Sequence, residues 1–432
     1  MKYLPAPVVT NRRKRTSLLS VAVLLISVVS AVVATPARAA GVQMTFLTPA
    51  YLAGTVKATE SIVADWNKAN PNAIVKIVYG DPNNINDKLA TSFAGGVAPD
   101  IFVLEAASLL SYSKQGYVAP ISAEMQSLKS QIPVGLWKTG SYRAQLYGVP
   151  TMTQSYTIFA NTDLFKKAGV AVPTGSGTLT WDDFRALAMQ LTTNDQYAIG
   201  WGLKSPAATF MIMGSNFNAK YFNGLTTTPY LRIGAPELEV PTRIHDMIYV
   251  DKTIDPASIV ISGGANIAPF LAGKYPMIVG GSYVASDLDT AAKATGFHWT
   301  ALPLLKGITS NQGANPQTIS VSSQSKYKKQ AAAFIRFFMK DKNLAALSIG
   351  EALTPSTKGA VAAVLAEKKD SPGWTQIMND SSSFVLSPFS QVPNYQKWKD
   401  TVAQPTWQQW VQGKITKSQM VEKLTTGWKN IR

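Results

Sequence analysis

Asp182 and Asp183 form the obvious carboxylate pair in this chain, and two carboxylates facing one glycosidic bond would make a hydrolase. Adjacent helical residues point in different directions, however, and both acids follow Thr180 in a first helical turn, where carboxylates complement the helix dipole and complete a cap. The spacing therefore predicts capping ahead of catalysis. The chain has two histidines, and His245-Asp246 sits in a helical stretch whose Ile244, Met247 and Ile248 call for packing, so no histidine cluster has metal-ligand spacing. No cysteine is present, which removes disulfides, thiolate metal sites and cysteine nucleophiles together. Neither a G-x-S-x-G elbow nor a phosphate-cradling G-x-x-x-x-G-K loop occurs. Acyl, nucleotide and metal chemistry are thus without their usual signals, no catalytic residue, metal or cofactor is expected, and an exported hydrolase is the enzyme reading left to weigh.

The periodicity of apolar residues supplies the elements that must carry any binding site. Val42, Met44 and Phe46 alternate as a strand, and Val56, Thr59, Ile62, Val63 and Trp66 share a helical face that stops at Asn70-Pro71. Ala73 to Tyr79 reads as a second strand, so the opening is a parallel strand-helix-strand crossover. A helix burying Ile85, Leu89 and Phe93 ends at Gly95-Gly96. Ile101 to Leu104 is a continuous apolar run that suits a sheet covered on both faces. Further strands are expected over Ser155 to Ala160 and Pro276 to Gly280. Thr180 should cap a helix burying Phe184, Leu187, Ala188 and Leu191, and later helices are expected over Arg243 to Val250, Tyr327 to Met339 and Ala360 to Lys368. Lys204 to Pro236 reads as mostly loop, and Trp398 to Trp428 as helical and polar.

Arg12, Arg13, Lys14 and Arg15 precede an apolar run from Leu18 to Ala34, and Ala37-x-Ala39 offers the small side chains of an export cleavage site. Residues 1–39 are thus expected to be a signal peptide, leaving a periplasmic or extracellular chain with no cysteine for a lipid anchor. Its length calls for two domains. Of the 41 basic residues, Lys2, Arg12, Arg13, Lys14, Arg15 and Arg38 fall in the leader, and the remaining 35 face 25 acidic ones. That basicity is dispersed. Its densest cluster, Lys326, Lys328 and Lys329, lies beside Phe334, Ile335 and Phe338 as the solvated face of an amphipathic helix, so nucleic acid is not an expected partner.

Several segments, in order, resemble the extracellular solute-binding protein family of ABC importers that includes maltose-binding protein. "AGGVAPDIFVLE" from Ala94 and "GYVAPIS" from Gly116 resemble its loop, buried strand and continuation. "LYGVPTMTQSYTIFANTDLFKKAGV" from Leu146 resembles its Gly-Val-Pro crossover, strand and helix, and "LTWDDFRALAMQLT" from Leu179 its next helix. "FLAGKYPMIVGGSY" from Phe270 resembles the stretch before a ligand-facing loop, and "SSQSKYKKQAAAFIRFFM" and "LTPSTKGA" complete the order. The resemblance implies an α/β, two-lobed periplasmic-binding-protein-like fold, each lobe a sheet flanked by helices, with ligand trapped as the lobes hinge shut. It implies one lobe over 42–153 and 307–341 and another over 154–306 and 342–432.

The same resemblance nominates ligand-binding residues suited to a carbohydrate, whose hydroxyls need paired donors and acceptors and whose C–H faces pack on aromatic rings. These are Tyr51 and Glu105 from the first lobe, Gln154 beside the first crossover, and Ser205, Phe210, Tyr283, Tyr395 and Trp398 from the second lobe. Gln154 resembles a position where maltose-binding protein has a carboxylate, a departure that argues against maltose itself as the ligand. The implied partners are a mono- or oligosaccharide and the membrane permease of an ABC importer, and a monomer suits hinge motion. A non-sugar polar solute and a protein-binding scaffold are the other readings compatible with the fold.

Overall fold

A computed structural model describes residues 41–431 apart from 83, 176 and 224–227. The expected signal peptide lies outside the described residues. The opening crossover forms as the periodicity requires: Val42–Pro49 pairs in parallel with Ala73–Gly80 through the helix Ala53–Ala69. Ile101–Glu105 adds to the other side of Val42–Pro49 in parallel, and Gln317–Val321 then runs antiparallel to Ile101–Glu105 and to Gly148–Pro150. Five strands make this first sheet. Its core joins Met44, Phe46 and Val103 to Trp66, Phe334 and Phe338, with the Phe46 and Phe334 rings edge to face at 5.5 Å. The basic helix Lys328–Phe338 thus buries its aromatic stripe and leaves its lysines outward.

A second sheet of four strands has Tyr156–Asn161 antiparallel to both Met277–Gly281 and Trp299–Ala301, with Ile199–Trp201 beside Met277–Gly281. The helix Trp181–Leu191 buries Phe184, Leu187, Ala188 and Leu191 as expected. Asp183 N–H donates to Thr180 Oγ1 at 3.0 Å, and Thr180 Oγ1 donates back to Asp183 Oδ2 at 2.6 Å. Asp182 accepts from Arg243 at 2.6 Å. The acidic pair is a cap and an ion pair.

Two expectations need correction here. The stretch from Lys204 contains a buried helix, Ala207–Met213, whose short run, apolar but for Thr209, has no period to reveal it against the surrounding Gly, Asn, Thr and Pro. The C-terminal region is helical but not polar throughout, since Trp398, Trp407, Trp410 and Trp428 are all buried in the second sheet's core.

The chain passes between the sheets from Pro150 to Tyr156 and from Ala301 to Gln317. Each passage is steadied by a short ladder: Met152–Thr153 against Thr354–Pro355, and Gln312–Ala314 against Phe384–Leu386. The helix Asp341–Glu351 bridges both cores, placing Leu344 and Leu347 with Phe46 and Ala345 with Phe159. It crosses Ala53–Ala69 so closely that a Cβ on Gly350 would lie 2.6 Å from the Gly54 carbonyl carbon and 2.7 Å from Thr55 N. Gly350→Ala should therefore force the helices apart, lowering unfolding free energy by about 1–3 kcal/mol. A urea titration should show a lower midpoint at unchanged slope, and an unchanged midpoint would contradict the packing argument.

Candidate functional site

A cavity of about 490 Å³ opens where the two sheets' elements meet, a size suited to a small ligand. Its first wall comes from ends of elements on the first sheet: Tyr51 and Leu52 after the first strand, Glu105 at the end of the third, and Asn315 and Gln317 at the start of the antiparallel strand. Glu351 completes that wall from the end of the bridging helix and Leu353 from just beyond it. Met152, Gln154 and Tyr156 line it from the first passage, while Ala208, Ile212, Tyr283, Phe389, Tyr395 and Lys399 face them from the second sheet's side.

Hydrogen bonds fix the polar part of the first wall. Asn315 Nδ2 donates to Glu105 Oε2 at 3.0 Å while its Oδ1 accepts from Ala107 N–H at 3.1 Å, pinning the exposed Glu105 to the start of the helix Ala106–Lys114. Glu351 is 4% exposed; Gln317 Nε2 donates to its Oε1 at 2.9 Å and Thr55 Oγ1 to its Oε2 at 3.3 Å. Burial outweighs those two donors and raises its pKa to about 7. Tyr51 is pushed above the usual phenol range by burial and by the carboxylates Glu105 and Glu351.

The opposite wall is aromatic. Tyr283 follows the strand Met277–Gly281, and the absence of a side chain at Gly281 is what admits it, since a Cβ there would meet Gln154 Cδ at 2.5 Å and Tyr283 Cε1 at 2.6 Å. Tyr395 and Phe389 stack with ring centroids 4.7 Å apart. Burial pushes Tyr156 up to about 12, and the buried phenols of Tyr283 and Tyr395 rise as well, so all keep their protons as donors.

Of the residues nominated from sequence, Tyr51, Glu105, Gln154, Tyr283 and Tyr395 line this cavity. Ser205 is exposed and lines a smaller chamber of about 120 Å³ that shares Gln154, Tyr156 and Tyr283 with it. Phe210 and Trp398 are corrections: both are 0% exposed and belong to the core. Phe210 meets Trp407 edge to face at 5.7 Å, and Trp398 Nε1 donates to the Leu424 carbonyl at 3.2 Å. Tyr156, Asn315, Gln317, Glu351, Phe389 and Lys399 escaped the sequence reading. Tyr156 had a signal, since it stands two residues after Gln154 on the same passage. His245 stacks on Trp410 at 4.1 Å, a packing role, and among the described residues no group of three or more acids or histidines is placed to hold a metal.

Residues 61–376 match the family described as bacterial extracellular solute-binding protein. The chain belongs to that family, whose members are exported. An uncharacterized lipoprotein in the oleD 5′ region of Streptomyces antibioticus is 32% identical over 87% of this chain and 84% of that protein. An arabinooligosaccharide-binding protein of Bacillus subtilis is 26% identical over 45% of each chain. The fold is that of two-lobed binding proteins. A Listeria monocytogenes ABC substrate-binding protein in complex with cycloalternan superposes with a TM-score of 0.74 at 22% identity, covering 90% of this chain and 98% of that one. The sugar-binding protein MalE of Xanthomonas citri gives 0.77 at 16% identity, covering 90% and 97%.

The Glu351 shift has a consequence for stability. The unfolded chain ionises this group near 4.5 and the folded chain near 7, so between those values the folded state holds the extra proton and stability falls as pH rises. Glu351→Gln should gain on the parent from pH 4 to pH 8 by on the order of 2–3 kcal/mol in urea titrations. A difference that does not change with pH would contradict the burial argument.

Proposed function

We propose that this protein captures a carbohydrate between its two lobes and delivers it to the permease of an ABC importer. The observation that carries the reading is the composition of the cleft: tyrosine and phenylalanine rings on one side, and Glu105, Asn315, Gln317 and Glu351 on the other. Rings take the C–H faces of a sugar, and amide and carboxyl groups pair its hydroxyls. The relatives described as oligosaccharide-binding support it. Tyr51, Glu105, Gln154, Tyr283 and Tyr395 are the proposed contacts among those nominated, joined by Tyr156, Gln317 and Glu351. The lobes are 42–153 with 307–341 and 154–306 with 342–432, with the helix Asp341–Glu351 packed on both. Neither Asp182 nor Asp183 lines the cleft, which favours capture over hydrolysis.

On this reading residues 1–39 are removed as an export signal and the chain works outside the membrane. The S. antibioticus relative, described as a lipoprotein, is consistent with export.

A thermal-unfolding screen of residues 40–432 against mono- and oligosaccharides tests the proposal. A saccharide at a hundredfold its dissociation constant should add about 2.7 kcal/mol, a rise of several degrees in Tm. Tyr283→Ala should weaken that saccharide about tenfold, the loss of one ring contact and its buried area. Turnover of the saccharide, or no shift from any of them, would contradict capture.

A further inference from the structure

The cleft holds something that a neutral polyol does not require. Glu351 is a buried carboxyl facing the cavity, and its partners are neutral: Gln317 and Thr55. Glu105, on the same wall, has Asn315 as its side-chain partner. Among the described residues neither acid has a lysine, arginine or histidine within ion-pair distance. Among the described residues Lys399 is the one cation lining the cavity, and it lies 3.7 Å from Asp400. Buried acids are ordinarily paired with a cation, and a carboxylate has about four acceptor positions, of which Glu351 has two filled. Tyrosine rings on both walls add π faces that attract ammonium groups.

We infer that the captured carbohydrate carries a protonated amine, so that an amino-sugar ring seats its ammonium at Glu351 and Glu105. The inference rests on the carbohydrate-capture reading and names its substrate class. The excess of 35 basic over 25 acidic residues beyond the leader would suggest an anionic ligand, but among the described residues the cleft presents two carboxyls against one ammonium that already has a partner. Local charge decides recognition at contact distance; net charge acts on longer-range association. The titratable groups that line the cavity with Glu351 are Tyr51, Glu105, Tyr156, Tyr283, Tyr395 and Lys399. Its own shift comes from burial, opposed by Gln317 and Thr55. An arriving ammonium therefore draws off the Glu351 proton, and affinity present near neutrality is lost as pH falls.

Isothermal titration of matched pairs tests this: glucosamine against glucose, and their disaccharides and trisaccharides of the same linkage, with the parent chain, Glu351→Gln and Glu105→Gln. In the parent the amine member should bind at least about tenfold more tightly than its neutral partner, and lose about tenfold or more between pH 7 and pH 5. Glu351→Gln should collapse the amine-to-neutral ratio toward one. Glu105 is exposed, so Glu105→Gln should fold and lower the ratio even if the Glu351 variant does not fold. Neutral sugars binding as tightly as their amine partners, or a ratio unchanged in both variants, would overturn the amine inference and leave carbohydrate capture standing. Failure of both members of every pair, with no saccharide shifting the Tm, would instead overturn capture itself.

Discussion

The side-chain amide of Gln312 ties together the two passages on which the cleft is built. Its Oε1 accepts from Tyr156 N–H at 2.8 Å and its Nε2 donates to the Tyr156 carbonyl at 3.1 Å, and the residue is 4% exposed. The backbone N–H and carbonyl of Tyr156, the residue that opens the strand opposite Met277–Gly281, are thereby satisfied by a side chain from the second passage. Gln312 also opens the strand that pairs with Phe384–Leu386, and that strand leads directly to Phe389. The amide thus joins Tyr156 on the first passage to a strand whose partner, Phe384–Leu386, runs on to the Phe389–Tyr395 stack on the far wall. Removing it would leave buried polar backbone without partners at the point where the lobes must bend.

Close helix packing does for the first wall what Gln312 does between the passages. Because Gly54 and Gly350 allow two helices to approach within backbone contact, Glu351 is carried into reach of Thr55 and Gln317 instead of remaining at a solvated helix end. The cost is a buried acid whose proton is held to about pH 7. A folded protein keeps such a group where function needs it or where surrounding structure compensates. Here two neutral donors compensate in part, and the remaining acceptor capacity points at the cavity.

Much of the scaffold was legible because period-two and helical apolar patterns match elements that bury one face: the strands at Val42 and Ile101, the capped helix after Thr180 and the aromatic stripe of Lys328–Phe338. Tyr51, Glu105 and Tyr283 were legible through the resemblance to the solute-binding family, which places them at or just after strand ends, where ligands of α/β sheets collect. Glu351 was not, because the closing residue of an ordinary helix gives no hint that a glycine pair will bury it. Gln317 faces Glu105 through an antiparallel register between strands more than two hundred residues apart in sequence, a pairing that local pattern cannot supply. Phe210 and Trp398 show the reverse error: aromatic residues in the expected region of the chain satisfied a need for rings, but the tryptophan-rich core claimed them.

The most direct test of the account is a crystal structure of the chain with the saccharide that raises its Tm most. Capture between the lobes requires the sugar ring in the cleft, bounded by Tyr51 and Glu351 on one side and by Tyr283 and Tyr395 on the other, with the two sheets drawn together around it. A saccharide bound elsewhere on the surface, with this cleft empty and open, would contradict the account.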